Sequence, residues 1–134
     1  MCEALQDSGR LELLDEAWNK DPELEFLSWR ISNGHTPGLC LPTISGVNDE
    51  ITFMGDLIPG SSWLHIPIAM AYDRYPEMIN DEKLEFYKEL AKKDKRQWLF
   101  YTHDKNCAYS QVEKDAKGKY QATHKHDDEN YLLM

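Results

Sequence analysis

The sequence predicts an α+β domain, in which a mixed, mostly antiparallel sheet carries one main helix. Short apolar runs stop repeatedly at turns containing Gly, Pro, Asn or Asp, which is typical of strands. Residues 81–95 differ, because their apolar positions recur at helical spacing, with acidic residues at the start and lysines at the end. Several strands and one amphipathic helix together indicate this fold class.

The composition narrows the possible partners. The chain has 134 residues, 41% of them hydrophobic, which corresponds to about one folded domain. Its formal charge of −9 argues against a nucleic-acid-binding surface, since such surfaces depend on Lys and Arg. No apolar run approaches the roughly 20 residues of a membrane span. We therefore expect neither nucleic acid nor a membrane as a partner.

The N-terminus and the cysteines indicate the compartment. The first residues lack the basic start and the apolar stretch of a signal peptide. Cys2, Cys40 and Cys107 are far apart and odd in number, so they predict neither a disulfide framework nor a Cys-x-x-Cys zinc pattern. Cys40 and Cys107 are most simply small core residues. These features predict a reducing, cytoplasmic location.

The first quarter of the chain contains one clear strand. Residues 1–10 are polar and are expected to be loose, whereas residues 11–18 fit either a helix or a short strand with a turn. Residues 24–31 predict a strand. Successive side chains of this strand point to opposite faces, so Leu27 and Ile31 lie on the face opposite Leu24.

Further strands follow along the chain. Residues 39–44 predict a second strand, in which Pro42 indicates a sheet edge or a bulge. Residues 50–54 predict a third strand that is apolar on both faces. The remaining strands are a fourth at 98–102 and a final hairpin formed by residues 108–112 and 120–123.

Between the third and fourth strands, the sequence predicts a loop and then the main helix. Residues 57–78 contain three prolines and many large apolar side chains, which is typical of an ordered loop that covers a site. Asn80 is the expected cap of the helix at 81–95. The predicted apolar face of this helix consists of Leu84, Tyr87, Leu90 and Ala91.

Three candidate metal ligands each lie where an apolar run stops. His35 lies in a Gly- and Pro-containing turn after the first strand, Asp56 follows the third strand, and His103 follows the fourth. Strand ends can present polar groups to one shared cleft. Imidazole and carboxylate groups suit zinc, iron or manganese, and one carboxylate can bridge two cations. The pattern predicts a metal site only if the three strand ends converge.

Other polar residues are weaker candidates. His65, Tyr72 and Asp73 lie in the apolar loop and are candidates for the lining of a substrate cleft. For His65, a packed or solvated position is the simpler interpretation, and for Tyr72 and Asp73 the alternative is a role in pinning the loop. His124 and His126 precede an acidic stretch and are more simply part of a solvated tail than metal ligands.

Three segments together resemble the metallo-β-lactamase-fold hydrolases. They are Gly-His-Thr-Pro-Gly at 34–38, Phe-Met-Gly-Asp-Leu-Ile-Pro at 53–59 and Phe-Tyr-Thr-His-Asp at 100–104. Their order and separations match the C-terminal half of that superfamily, over roughly residues 10–123. The resemblance implies half of an αββα sandwich over residues 1–123, followed by an acidic tail at 124–134.

The resemblance also implies roles for the candidate ligands. His35 would bind a first metal, Asp56 would bridge two metals, and His103 would bind the second. In a complete enzyme, a metal-bound hydroxide would hydrolyse an ester, lactone, amide or phosphoester in a small-molecule substrate. Zinc is the expected cofactor, with iron or manganese as alternatives.

The sequence also departs from this family. The His-x-His-x-Asp-His motif of its N-terminal half is absent, and Leu39 stands where many relatives have a second histidine. Each metal would then have two protein ligands, whereas a catalytic zinc normally has three. We therefore expect weak metal binding and no activity from this chain alone. The alternatives are a silent fragment, an interaction module, or a site completed by another chain. Half of a sandwich leaves one face of its sheet bare. We expect self-association or a complementary N-terminal half to cover that face.

Overall fold

The computed structural model describes residues 2–11 and 19–127. It begins with a short helix, α1 (Cys2–Asp7). The expectation that residues 1–10 are loose is therefore wrong over this segment, where backbone bonds such as Ser8 N to Ala4 O continue the helical turn. The open choice between helix and strand at 11–18 falls outside the described residues, except for Leu11.

Six strands form one mixed sheet in sequential order, β1 to β6. All neighbouring pairs are antiparallel except β3 and β4, which are parallel. The α+β fold class predicted from the sequence is confirmed. The strands are β1 (Leu27–Ser32), β2 (Leu39–Ser45), β3 (Asp49–Phe53), β4 (Arg96–Phe100), β5 (Tyr109–Lys114) and β6 (Tyr120–His126).

Two details of the strand predictions were wrong. β1 begins at Leu27 because the Asp21 carboxylate accepts hydrogen bonds from the Glu23 and Leu24 backbone N–H groups, which turns the preceding segment. β2 is an interior strand, so Pro42 does not mark a sheet edge. Pro42 pairs with Trp29 of β1, whereas the ladder between β2 and β3 covers only Thr43–Ser45. The missing N–H of Pro42 therefore lies beyond that ladder.

The main helix, α2, runs from Pro76 to Leu90, five residues earlier than predicted at both ends. Pro76 occupies the first helical turn, where its missing N–H costs nothing, and Asn80 lies inside the helix rather than capping it. Leu84 is exposed and Ala91 follows the last helical residue as the C-cap, which corrects the predicted apolar face. The buried positions are Ile79, Lys83, Phe86, Tyr87 and Leu90.

α2 covers one face of the sheet, and the core lies between them. Ion pairing of Arg30 with Glu89 and a hydrogen bond from Ser32 to Glu82 join β1 to the helix. The core consists mainly of Leu41, Met54, Leu57, Ile58, Leu64, Ile79, Phe86, Tyr87, Leu99 and Tyr101.

The opposite face of the sheet carries an apolar depression of about 290 Å³. Ile44 in this depression is 52% exposed. We call this surface the open face, defined by Leu27, Pro42, Ile44, Ile51, Phe53 and Phe100.

Candidate metal centre

The three candidate ligands lie at one edge of the sheet because of the strand directions. β3 and β4 are parallel, so the residues that follow them emerge at the same edge. β1 is antiparallel to β2, and β2 to β3, so β1 also ends there. The convergence of His35, Asp56 and His103 predicted from the sequence is therefore confirmed in geometry, whereas their role as metal ligands stays a prediction.

One carboxylate lies between two imidazoles. His35 Nε2 is 3.3 Å from Asp56 Oδ2, and His103 Nε2 is 3.2 Å from Asp56 Oδ1. The His35 side chain is 13% exposed and that of His103 is 61% exposed, so the group of three side chains is open to solvent on the His103 side. Asp56 Oδ1 is buried, and its contact with His103 Nε2 does not have hydrogen-bond geometry, so this oxygen has no hydrogen bond within the described residues.

The turn that carries His35 is fastened to α2. Glu82 accepts hydrogen bonds from Ser32 Oγ and from the backbone N–H groups of Asn33 and Gly34. A Cβ atom on Gly34 would lie 2.7 Å from Ile79 Cδ1 and 2.9 Å from the Ile79 backbone nitrogen, so only glycine permits this approach. The turn is thus held rigidly against the start of the helix.

The loops that carry Asp56 and His103 are fastened to each other. Thr102 Oγ1 donates to Gly55 O, and His103 N donates to Pro59 O. Asp104 Oδ2 accepts from both the backbone N–H and the hydroxyl of Ser61, at 2.9 and 2.6 Å. Burial opposes ionisation of Asp104, but these bonds outweigh it and hold its pKa below the usual range.

The three cleft candidates take different positions. Asp73 contacts His35, since its Oδ1 lies 2.8 Å from His35 Nδ1. Tyr72 is 74% exposed and presents its ring edge-on to His35, with the ring centres 6.0 Å apart. His65 lies after the 3-10 turn Ser61–Trp63, and its Nδ1 is buried without a hydrogen-bond partner among the described residues. Their substrate-lining role stays a prediction.

A buried lysine holds the covering loop. Lys83 Nζ, on α2, donates to Trp63 O at 2.7 Å and to Ile68 O at 2.5 Å. Burial lowers the pKa of Lys83 to about 8, against the opposing effect of the Asp73 carboxylate. Tyr87 OH donates to Leu64 O, so two helix side chains fix the same loop.

The distances between the donor atoms match those between two ligands of one zinc ion, but the donors do not complete a zinc site. Two ligands bound to one tetrahedral zinc at 2.0–2.1 Å are about 3.4 Å apart, close to both imidazole–carboxylate separations. The three side chains nevertheless lie in a row, so that a cation between either imidazole and the carboxylate would have two donors. Accordingly, residues 2–11 and 19–127 contain no group of three or more His, Cys, Asp or Glu side chains that could hold a metal ion.

The other histidines and cysteines predicted as tail or core residues lie on strands of the sheet or directly before one. His124 and His126 belong to β6, and the ring of His126 stacks on Tyr109 with 4.6 Å between ring centres. The strand therefore extends into the segment predicted as a tail, of which residues 128–134 fall outside the described residues. Cys107 is buried and Cys40 half-buried, and burial raises the pKa of both thiols.

Sequence reasoning missed the residues that fix the candidate ligands in place. Glu82, Lys83 and Asp104 read as ordinary surface charges of a helix and a loop. The adjacency of Asp104 to His103 was the one local signal available. The contacts of the other two residues with the covering loop and the His35 turn join distant parts of the chain.

The chain is similar to three solved hydrolase structures. A probable metal-dependent hydrolase from Staphylococcus aureus superposes with a TM-score of 0.67 at 23% identity. AidC, a dizinc quorum-quenching lactonase, gives 0.68 at 22%, and AbOPH, a hydrolase of the β-lactamase superfamily, gives 0.71 at 18%. No protein-family model and no curated protein sequence matches the chain.

The likeness covers most of this chain but less than half of the others. It takes in 89%, 94% and 92% of this chain, against 42%, 43% and 41% of the three structures, respectively. No helix in the described part of the chain is long and apolar enough to cross a membrane. The sheet order, the position of α2 and these superpositions show that the chain has part of the metallo-β-lactamase fold.

Proposed function

We propose that this chain is the C-terminal part of a metal-dependent hydrolase. In this proposal, His35 and Asp56 hold one divalent cation, and Asp56 and His103 hold a second. The observation that supports it is the single Asp56 carboxylate, which has one imidazole Nε2 opposite each oxygen, at 3.3 and 3.2 Å. The buried Oδ1 without a hydrogen bond is consistent with an atom reserved for a cation.

The cations, zinc before iron or manganese, would supply an activated water and stabilisation of developing negative charge. The substrate class is a small ester, lactone, amide or phosphoester. In this chain, Asp56 sets the spacing of the two imidazoles, and the exposed Tyr72 beside His35 offers an aromatic surface for substrate.

The donor count implies that this chain is inactive alone. Two protein ligands per cation fall short of the three that a catalytic zinc normally has. The missing donors would come from an N-terminal half or from another chain. We therefore expect weak metal binding and no metal-dependent hydrolysis until those donors are added.

Metal content is the direct test. Purified wild-type chain should take up Zn²⁺ during titration but lose it on gel filtration, and D56A should take up much less, because both cation positions share Asp56. D115N, in the distant β5–β6 turn, is the matched control and should take up as much Zn²⁺ as the wild type. One or two ions per chain that survive gel filtration and vanish in D56A would show a complete site. Equal, negligible uptake by wild type and D56A would contradict the proposal.

A second candidate function is an interaction module without catalysis. The open face favours it, since its apolar depression is lined by residues from four adjacent strands. Normal folding together with no detectable Zn²⁺ uptake would favour this alternative.

A further inference from the structure

The contact between His35 and Asp73 has the geometry of an orienting pair. His35 Nδ1 and Asp73 Oδ1 are 2.8 Å apart, and the Asp73 side chain is only 2% exposed. A carboxylate only accepts hydrogen bonds, so the ring nitrogen that faces it must carry a proton. The buried setting strengthens this bond relative to one in water.

Asp73 cannot turn away from the ring. Its second oxygen, Oδ2, accepts a 2.6 Å hydrogen bond from Met70 N. The segment that carries it is joined to the His35 turn twice, by Arg74 N donating to His35 O and by Tyr75 N donating to Gly34 O. The carboxylate is thus fixed with respect to both its own loop and the histidine.

The second imidazole nitrogen of His35, Nε2, is the less favoured position for the proton of a neutral ring. Asp56 Oδ2 lies 3.3 Å from His35 Nε2, farther than the Asp73 contact, and the Asp56 side chain is 31% exposed. In the neutral ring, the proton is therefore expected on Nδ1, and the lone pair of Nε2 is directed toward the Asp56 side.

We propose that Asp73 is a positioning residue that holds the His35 proton on Nδ1 and directs Nε2 toward the cation position. Its importance for metal binding rests on the proposed function, whereas the tautomer itself does not. The role differs from lining a substrate cleft, because Asp73 acts on the ligand histidine and is almost fully buried. Partners of this kind commonly change metal affinity by about 10- to 100-fold.

D73N tests the assignment sharply. Met70 N requires an oxygen acceptor, so the introduced amide must turn its NH₂ group toward His35 Nδ1. The neutral ring should then switch to the Nε2–H tautomer. Long-range ¹H–¹⁵N NMR of the full chain in alkaline buffer reads the tautomer directly, with H35Q used to assign the ring signals.

D56N is the matched control and should leave the Nδ1–H tautomer in place. An Nε2–H ring in the wild type, or an unchanged tautomer in folded D73N, would overturn the proposal. If D73N does not fold, the wild-type tautomer alone decides.

Metal binding provides a separate outcome. Co²⁺ titration followed by absorption should show about 10- to 100-fold weaker binding in D73N than in the wild type. Equal affinities would contradict the positioning role. A wild-type chain that binds no Co²⁺ would contradict the proposed function while leaving the tautomer assignment standing.

Discussion

At the residue scale, Lys83 shows how a charge can be buried to hold a loop. Its ammonium group loses the solvation of water but gains two carbonyl acceptors, Trp63 O and Ile68 O. The cost appears in its pKa, which burial lowers to about 8. The folded chain therefore favours the neutral amine of Lys83 more than the unfolded chain does.

This pKa predicts how stability changes with pH. Between about pH 8 and 10.5, the unfolded chain holds a proton on Lys83 that the folded chain has lost, so the free energy of unfolding should rise with pH. Relative to K83M, the wild type should gain about 1.6 kcal/mol between pH 8 and 9.5. Urea unfolding at the two pH values measures this.

K88M, which removes an exposed lysine from the same helix, is the control for general charge effects. A constant difference between wild type and K83M over this range would show that Lys83 has an ordinary pKa in the folded protein.

Single residues also show what a sequence can reveal about a site. His35, Asp56 and His103 could be found because each follows a strand, and a strand end is visible locally. The contacts of Asp73 and Lys83 could not, because they join residues 38, 20 and 15 positions apart through one ring nitrogen and two backbone carbonyls. Side-chain type alone does not determine such partners.

At the scale of elements, strands were easier to place than helix ends. Alternating apolar residues revealed all four strands that precede the final hairpin, and the hairpin itself. The helix was displaced because Asn80 and three later lysines imitate the two ends of a helix, whereas Pro76 is the residue that starts it. Pro42 misled for a related reason, because an interior strand can admit proline where one of its ladders stops.

The link between the 3-10 turn and the His103 loop gives an element-level prediction. D104N replaces a half-buried carboxylate that accepts bonds from Ser61 N, Ser61 Oγ and Asn106 N. Loss of charge-assisted bonding should cost about 1–3 kcal/mol of stability and shift the NMR signals of His103.

D115N is the matched control, since Asp115 similarly accepts from Lys117 N and Lys119 N but in the β5–β6 turn. It should lower stability without shifting the His103 signals. Equal effects of both variants on His103 would show that Asp104 does not position this loop.

At the scale of the whole molecule, the exposed apolar residues of the open face lead us to expect a partner. An exposed apolar surface on the order of 400 Å² corresponds to about 10 kcal/mol at 25 cal/mol per Å². That is comparable to the whole stability of a domain. We propose that a second copy of this chain covers the face, with a complementary N-terminal half as the other possible occupant.

Sedimentation velocity at micromolar concentration should therefore show self-association of the wild type. I44K places a charge in the open face and should weaken it at least tenfold, because the lysine would have to be desolvated. V47K, in the exposed β2–β3 turn, adds the same charge elsewhere and should have little effect. A single compact monomer that binds no hydrophobic dye would contradict self-association.

The parallel pairing of β3 with β4 has a consequence for the order of folding events. Antiparallel neighbours can form as local hairpins, but β4 reaches β3 only after the covering loop and α2 have returned the chain across the sheet. The hydrogen bond from Thr102 to Gly55, beside His103 and Asp56, closes a loop of 47 positions. Such non-local closures are slow steps in folding. We therefore expect His103 to join His35 and Asp56 late in folding, so that a partly folded chain exposes each histidine separately rather than as a preformed pair.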